Sequence, residues 1–256
     1  MEIRFVRHAT FVFEIADVRI LVDPMLGRVG STPPIPDTPN QKPNPTVGLL
    51  FGDNEVSDLI TSVDAVLVTH IHADHWDERA RDLIPKNKPI LCQPEDEASI
   101  SASGFADVQP VASEKQWGKL RLSRTAGQHG TGDIGAQMAP VSGFVVQTED
   151  SPKLYIAGDT IWCDEVEEAL LNHRPDLVVV NTGAAQFLEG DPITMTAEDV
   201  SNVCRVVPDA LVIAVHMEAM NHCQLTREQL RENLERDGLT GKVNIPADGE
   251  TVEVVA

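Results

Sequence analysis

The chain has 256 residues, of which 42% are hydrophobic, enough for one large α/β domain with a well-buried core. Lys and Arg number 20 against 40 Asp and Glu, a net charge of −20. Such a field repels phosphate backbones and argues against nucleic acid as a partner. No apolar run approaches the ~20 residues that cross a bilayer, so no membrane association is expected.

The N-terminal "MEIRFVRHATFVFEI" alternates like a strand. It lacks the basic start, long apolar stretch and small-residue cleavage site of a signal peptide, which points to the cytoplasm. "EIRFVRH", "TFVFEIA" and "VRILVDP" read as three strands, with Ala16 and Asp17 turning between two of them. A stretch dense in Pro, Gly and Asn follows, "GRVGSTPPIPDTPNQKPNPTVG", at about 28–48. It is expected as a loop inserted in one domain spanning 1–256, serving as a functional lid or lacking order. "DAVLVT" is a continuous apolar run, the pattern of a strand buried on both faces. "DERARDLIP" suits a short helix stopped by Pro85, "KPILCQ" a strand, and "PEDEASISASG" a helix with Pro94 near its start and Gly104 past its end.

Strands resume with "KLRLSR", "VSGFVVQT" and "KLYIAGD". The last third alternates: amphipathic "DEVEEALLNHR", buried "PDLVVVNTG", a helix opened by Thr196, buried "DALVIAVH", and a helix capped by Thr226 with Gln229 and closed by Gly238. "KVNIPADGETVEV" reads as two final strands around an Asp-Gly turn. Strand-rich stretches interleaved with helices predict an α/β fold of two sheets packed face to face, with helices outside. Cys92, Cys163, Cys204 and Cys223 form no CxxC pair, so they read as free, mostly buried thiols.

"LVTHIHADHWDE" places His70, His72, Asp74 and His75 within six residues at the end of the buried "DAVLVT" run. An HxH pair on extended chain points both imidazoles to one side, so His70 and His72 can grip one metal ion. Asp74 and His75 follow where the chain turns, and can hold a second ion nearby. Zinc takes about four N, O or S ligands, so the motif is incomplete without others. His129, Asp159 and His216 each end a strand or sit in the loop after one, where α/β proteins place functional groups. Together they predict a two-metal site sharing a carboxylate. His222, six positions beyond His216, is the rival for the last imidazole.

HxHxDH, a later His, Gly-Asp-Thr, then a His after an apolar strand is the ligand order that resembles the metallo-β-lactamase superfamily. The spacing from His75 to His129 and the opening "HATFVFEIADVRILVDP" look like the branch containing L-ascorbate-6-phosphate lactonase and related metal-dependent hydrolases. The resemblance covers essentially the whole chain. It implies a four-layer αββα sandwich, with His70, His72 and His129 on one ion, Asp74, His75 and His216 on the other, and Asp159 bridging them. Zinc is the expected metal, with manganese or iron also suited to these ligands.

Four further residues carry two readings each. Asp23 either accepts a hydrogen bond from a ligand imidazole or closes an Asp-Pro turn. His8 lines the site or simply ends a strand. Asn221 and His222 resemble a family stretch near the pocket mouth, contacting substrate or serving a loop. Two divalent ions supply activated water at neutral pH, and Asp74 is the expected catalytic residue, holding that water and moving its proton. The expected activity is hydrolysis of a small ester, lactone or phosphodiester, neutral or anionic, with self-association of the chain left open. The competing functions are a nuclease, which the charge disfavours, a di-iron redox protein, and a metal-binding module without turnover.

Overall fold

The structure is a computed structural model, and it describes residues 1–254. In chain order its elements are β1 (Glu2–Arg7), β2 (Thr10–Ile15), β3 (Val18–Val22), α1 (Asp53–Ser62), β4 (Ala65–Val68), α2 (Glu78–Leu83), β5 (Ile90–Cys92), α3 (Glu97–Ala102), β6 (Val108–Pro110), β7 (Glu114–Trp117) and β8 (Leu120–Thr125). There follow α4 (Gly132–Met138), β9 (Gly143–Gln147), β10 (Leu154–Ile156), α5 (Asp164–His173), β11 (Leu177–Asn181), α6 (Ala197–Val206), β12 (Leu211–Val215), α7 (Arg227–Arg236), β13 (Val243–Asn244) and β14 (Thr251–Glu253).

Two seven-stranded mixed sheets form, in the orders β14-β1-β2-β3-β4-β5-β6 and β13-β12-β11-β10-β9-β8-β7. Phe5, Phe11, Phe13, Leu67, Leu122, Phe144, Val179 and Ile213 fill the space between them. Each large apolar side chain so buried contributes roughly 1.5–3 kcal/mol. Val66 and Val68 leave the other face of the first sheet to meet Leu59, Ile60, Ala80 and Ile100 of α1, α2 and α3. Tyr155, Val178 and Val212 do the same on the second sheet, against Leu170, Val200 and Leu230 of α5, α6 and α7. This is the expected αββα sandwich. It also explains the unbroken apolar runs of β4, β11 and β12, whose residues are buried on both faces.

Strand direction positions the site. β1, β3 and β4 point one way in the first sheet, because β2 is antiparallel to both β1 and β3 while β4 is parallel to β3. By the same logic β8, β10, β11 and β12 share one direction in the second sheet. His8, Asp23, the His70–His75 segment, His129, Asp159 and His216 all follow the ends of these strands.

Several parts of the chain depart from the sequence reading, among them β6, β7 and α4, which have no counterpart in it. α1 was not anticipated, although Val56, Leu59 and Ile60 give it the i, i+3, i+4 apolar face of a helix. The two terminal strands exist but do not pair as a hairpin. β13 adds in parallel to β12, whereas β14 crosses to the other sheet and pairs antiparallel with β1. That crossing covers an edge of β1 that would otherwise present unpaired backbone groups. Among the described residues no helix is long and apolar enough to cross a membrane.

Candidate metal centre

The strand ends converge. His70 Nε2 lies 3.0 Å from His72 Nδ1. His129 Nε2 is 3.4 Å from Asp159 Oδ2, and His75 Nε2 is 3.2 Å from the same oxygen. The other Asp159 oxygen, Oδ1, is 3.4 Å from His216 Nε2. Asp74 Oδ2 stands 3.6 Å from His216 Nε2 and 3.8 Å from His75 Nε2. All seven expected ligand side chains are therefore brought together. They fall into overlapping groups: His70, His72 and His129; His70, His75 and Asp159; and Asp74, His75 and His216 with His8. Asp159 touches imidazoles of both outer groups.

These groups fit a pair of divalent ions. Ligand atoms ~2.0–2.1 Å from a tetrahedral ion lie roughly 3.3 Å apart, close to the spacings here. His75 Nε2 and His216 Nε2 are buried and near carboxylates, yet out of alignment for hydrogen bonds, so both are left without a partner. Unpaired polar atoms in a protein interior are costly, and a cation at their common focus would satisfy them.

The outward-facing atoms of the same residues are held. Asp23 Oδ2 lies 2.9 Å from His75 Nδ1, and the same carboxylate accepts from the Thr69 amide and hydroxyl at 2.7 Å each. Thr69 Oγ1 is 3.0 Å from His70 Nδ1. One buried aspartate thus orients both ends of the HxHxDH segment. His129 Nδ1 is 2.8 Å from the Ile193 carbonyl, and His216 Nδ1 faces Cys223 Sγ at 3.7 Å. Such contacts set which imidazole nitrogen is free to bind a metal.

His8 Nε2 is 3.1 Å from Asp74 Oδ2, and the His8 ring lies against that of His216 at a tilt of 36°, with centroids 3.6 Å apart. His8, Asp23 and His216 adopt positive φ of 61°, 41° and 70° directly after their strands. Non-glycine residues rarely do so, and such strain gathers at functional sites. Gly158, in "AGD", has φ of 70°, and a Cβ there would come within 2.6 Å of the Ser142 carbonyl.

Charge within the site is internally balanced. Burial would raise the carboxyls of Asp74 and Asp159, but the surrounding imidazoles outweigh it and hold both well below the usual carboxylate range. Burial pushes His75 down, yet Asp159, Asp74 and Asp23 together lift it to about 10. His8 and His222 fall to about 3 and about 4, chiefly through burial. The groups weighing most on these residues are the site's own histidines, aspartates and Cys223, with no lysine or arginine among them.

Asn221 and His222 part company. The Asn221 side chain is fully buried and committed to the Pro-rich loop: Oδ1 accepts from Ile35 N and Asn44 Nδ2 at 3.0 and 2.7 Å. Its Nδ2 contacts Ile35 O, Thr38 Oγ1 and Asn40 O at 3.0, 2.6 and 2.5 Å. Nothing is left over for a substrate, so Asn221 serves the loop. His222 is buried beside the site, its ring 6.4 Å from that of His216, with Nδ1 unpartnered.

Sequence reasoning passed over Asn181, Thr69 and Cys223. Asn181 Nδ2 donates to Asp159 Oδ1 at 2.6 Å and so orients the central carboxylate. Its signal was present: one polar residue ends the apolar "LVVVN", in register with Val215, just before His216.

A family model described as beta-lactamase superfamily domain matches residues 2–216. UPF0173 protein YddR of Bacillus subtilis is 37% identical, over 98% of this chain and 99% of its own. A UPF0173 metal-dependent hydrolase of Archaeoglobus fulgidus is 23% identical over 99% of each. Among solved structures, an isothiocyanate hydrolase from Delia radicum gut bacteria is similar at TM-score 0.94 and 36% identity, covering 100% of both chains. A possible metal-dependent hydrolase from Veillonella parvula gives 0.95 and 34%, covering 99% of each. The chain belongs to the beta-lactamase superfamily and, within it, to the UPF0173 family of metal-dependent hydrolases.

Proposed function

We propose that the protein is a dinuclear metal-dependent hydrolase acting on a small molecule at an electrophilic carbon, an ester or lactone carbonyl in the first instance. The observation that supports it most is the convergence of seven His and Asp donors with the buried, unpartnered Nε2 atoms of His75 and His216. His70, His72 and His129 would hold one ion, Asp74, His75 and His216 the other, with Asp159 between them. The ions, zinc in this reading, would supply water acidic enough to act at neutral pH and polarise the scissile group.

The chain's own groups do the rest. Asp74, ionised and buried, holds the attacking water and takes its proton. His8 steadies the Asp74 oxygen that also faces His75 and His216, through its 3.1 Å contact. Substrate is expected to be compact and without a required anionic group, because none of the groups that weigh most on the site residues is a lysine or arginine. Arg7, one residue before His8, has its terminal nitrogens committed to the carbonyls of Val47, Met25 and Gly27. The net charge of −20 further disfavours nucleic acid.

A second reading, isothiocyanate hydrolysis, is favoured by one observation: the isothiocyanate hydrolase from Delia radicum gut bacteria matches this chain end to end at 36% identity. The carbon of that group is also a small, uncharged electrophile. The test is a side-by-side kcat/KM panel on metal-replete protein with a lactone, an aryl ester, an aryl isothiocyanate, an aryl phosphodiester and RNA. Turnover of a carbon-centred substrate is expected. Efficient RNA cleavage with none of the small substrates consumed would overturn the proposal.

A further inference from the structure

Three consecutive residues, Asn221, His222 and Cys223, follow the strand-end His216 and are treated very differently by the fold. Asn221 is tied to the Pro-rich loop through every side-chain hydrogen-bonding atom, and its amide donates to Asn44 Oδ1 at 2.9 Å. Cys223 faces His216 Nδ1 and forms a β-bridge with Ala185. His222 lies between them with its backbone equally fixed, since its carbonyl accepts from Gln186 N at 3.0 Å and Gln224 Nε2 at 3.1 Å. Its side chain makes no hydrogen bond to the protein.

That sets it apart from four of the expected ligand histidines. His70, His75, His129 and His216 each have one ring nitrogen held by a side chain or carbonyl, and the other facing the centre. His222 has no such holder, belongs to none of the candidate metal-binding groups, and is only 4% exposed. An imidazole buried with an unpaired Nδ1 is destabilising unless something else completes it. A rigid backbone presenting an unpaired ring beside the reacting centre is a preorganised binding group.

We infer that His222 is a further catalytic residue, which touches substrate and donates an imidazole N–H to the heteroatom that gains negative charge as water adds to the carbon. The inference rests on the metal-pair reading above. A neutral imidazole suits this role, because it donates without placing a cation against the metal cluster. It also supplies a protein hydrogen-bond donor not already engaged in holding a ligand.

The test compares His222→Ala, His222→Gly and His216→Ala by elemental analysis, by the visible spectrum of the cobalt(II)-loaded protein, and by turnover of para-nitrophenyl acetate and phenyl isothiocyanate. Both His222 variants should keep the unsubstituted protein's metal content and cobalt spectrum while kcat/KM falls about 10²–10³-fold, as when one oxyanion donor is removed. Added imidazole should restore part of the rate in His222→Gly. His216→Ala should lose about one ion and change the spectrum. Loss of an ion or an altered spectrum in His222→Ala would make His222 a ligand and overturn the inference, as would unchanged turnover with full metal. Failure of the metal-pair reading shows elsewhere, as fewer than two ions in the unsubstituted protein, and takes this inference with it.

Discussion

Asp74 and Asp23 are both buried carboxylates within the site, but they face opposite ways and should fail differently. Asp74 faces His8, His75 and His216 in the centre. Asp74→Asn keeps the size and removes the charge and proton-accepting power, so a rate loss of roughly 10²–10⁴-fold is expected, with weaker binding of one ion. Near-normal turnover with full metal content would show that another group handles the proton. Asp23 touches no expected metal position and instead holds His75, Thr69 and, through Thr69, His70. Asp23→Ala should therefore act on affinity, weakening metal binding about 10–100-fold. Competition against a chelator of known strength measures it, and an unchanged affinity would show that the imidazoles hold their pose unaided.

The element with the clearest consequence is the Pro-rich loop. Its ends meet where Thr32 and Asn44 exchange backbone hydrogen bonds at 2.8 and 2.9 Å, and its middle wraps the Asn221 amide. Ile35 and Val47 pack with Met25, Ala219 and Met220, and Leu188 N donates to Asp37 O at 2.7 Å. The loop is thus fastened to the two segments that carry His222 and the Ile193 carbonyl behind His129. Asn221→Ala strands several loop donors and acceptors at once, at about 1–3 kcal/mol for each that water cannot reach. The expected result is easier proteolysis between 30 and 45 and a changed ranking of substrates in the kcat/KM panel, with metal content unaltered. Protease resistance equal to that of the unsubstituted protein would mean that the apolar contacts alone hold the loop.

For the whole molecule, the proposed metal pair would couple to protonation and to stability. In the metal-free fold His75, at about 10, is protonated at neutral pH, and His216 is also pulled well above its ordinary value. A metal must displace those protons, so binding should release protons and tighten as pH rises toward 10. Titration calorimetry in buffers of different ionisation enthalpy measures the release; a heat independent of buffer would contradict it. Elemental analysis should find about two ions per chain. Ions bound only by the folded state stabilise it by about 2.7 kcal/mol at a hundredfold excess over Kd, so a chelator should lower Tm measurably.

By itself the sequence determined the layers and marked the seven side chains that the fold brings together. Apolar runs such as "AVLV" and "LVVV" are continuous only because both faces are covered, and that pattern is local enough to read. HxHxDH is equally local, since four metal-competent residues within six positions have few other uses. The tertiary structure alone decided how distant groups meet. Nothing near Asn221 in the chain announces that its amide is filled by a loop some 180 residues away, because three of its five partners are backbone atoms that carry no signature of their own. Asn181 beside Asp159, Cys223 behind His216 and β14 beside β1 follow from sheet order and register, which bring together residues that spacing along the chain cannot relate.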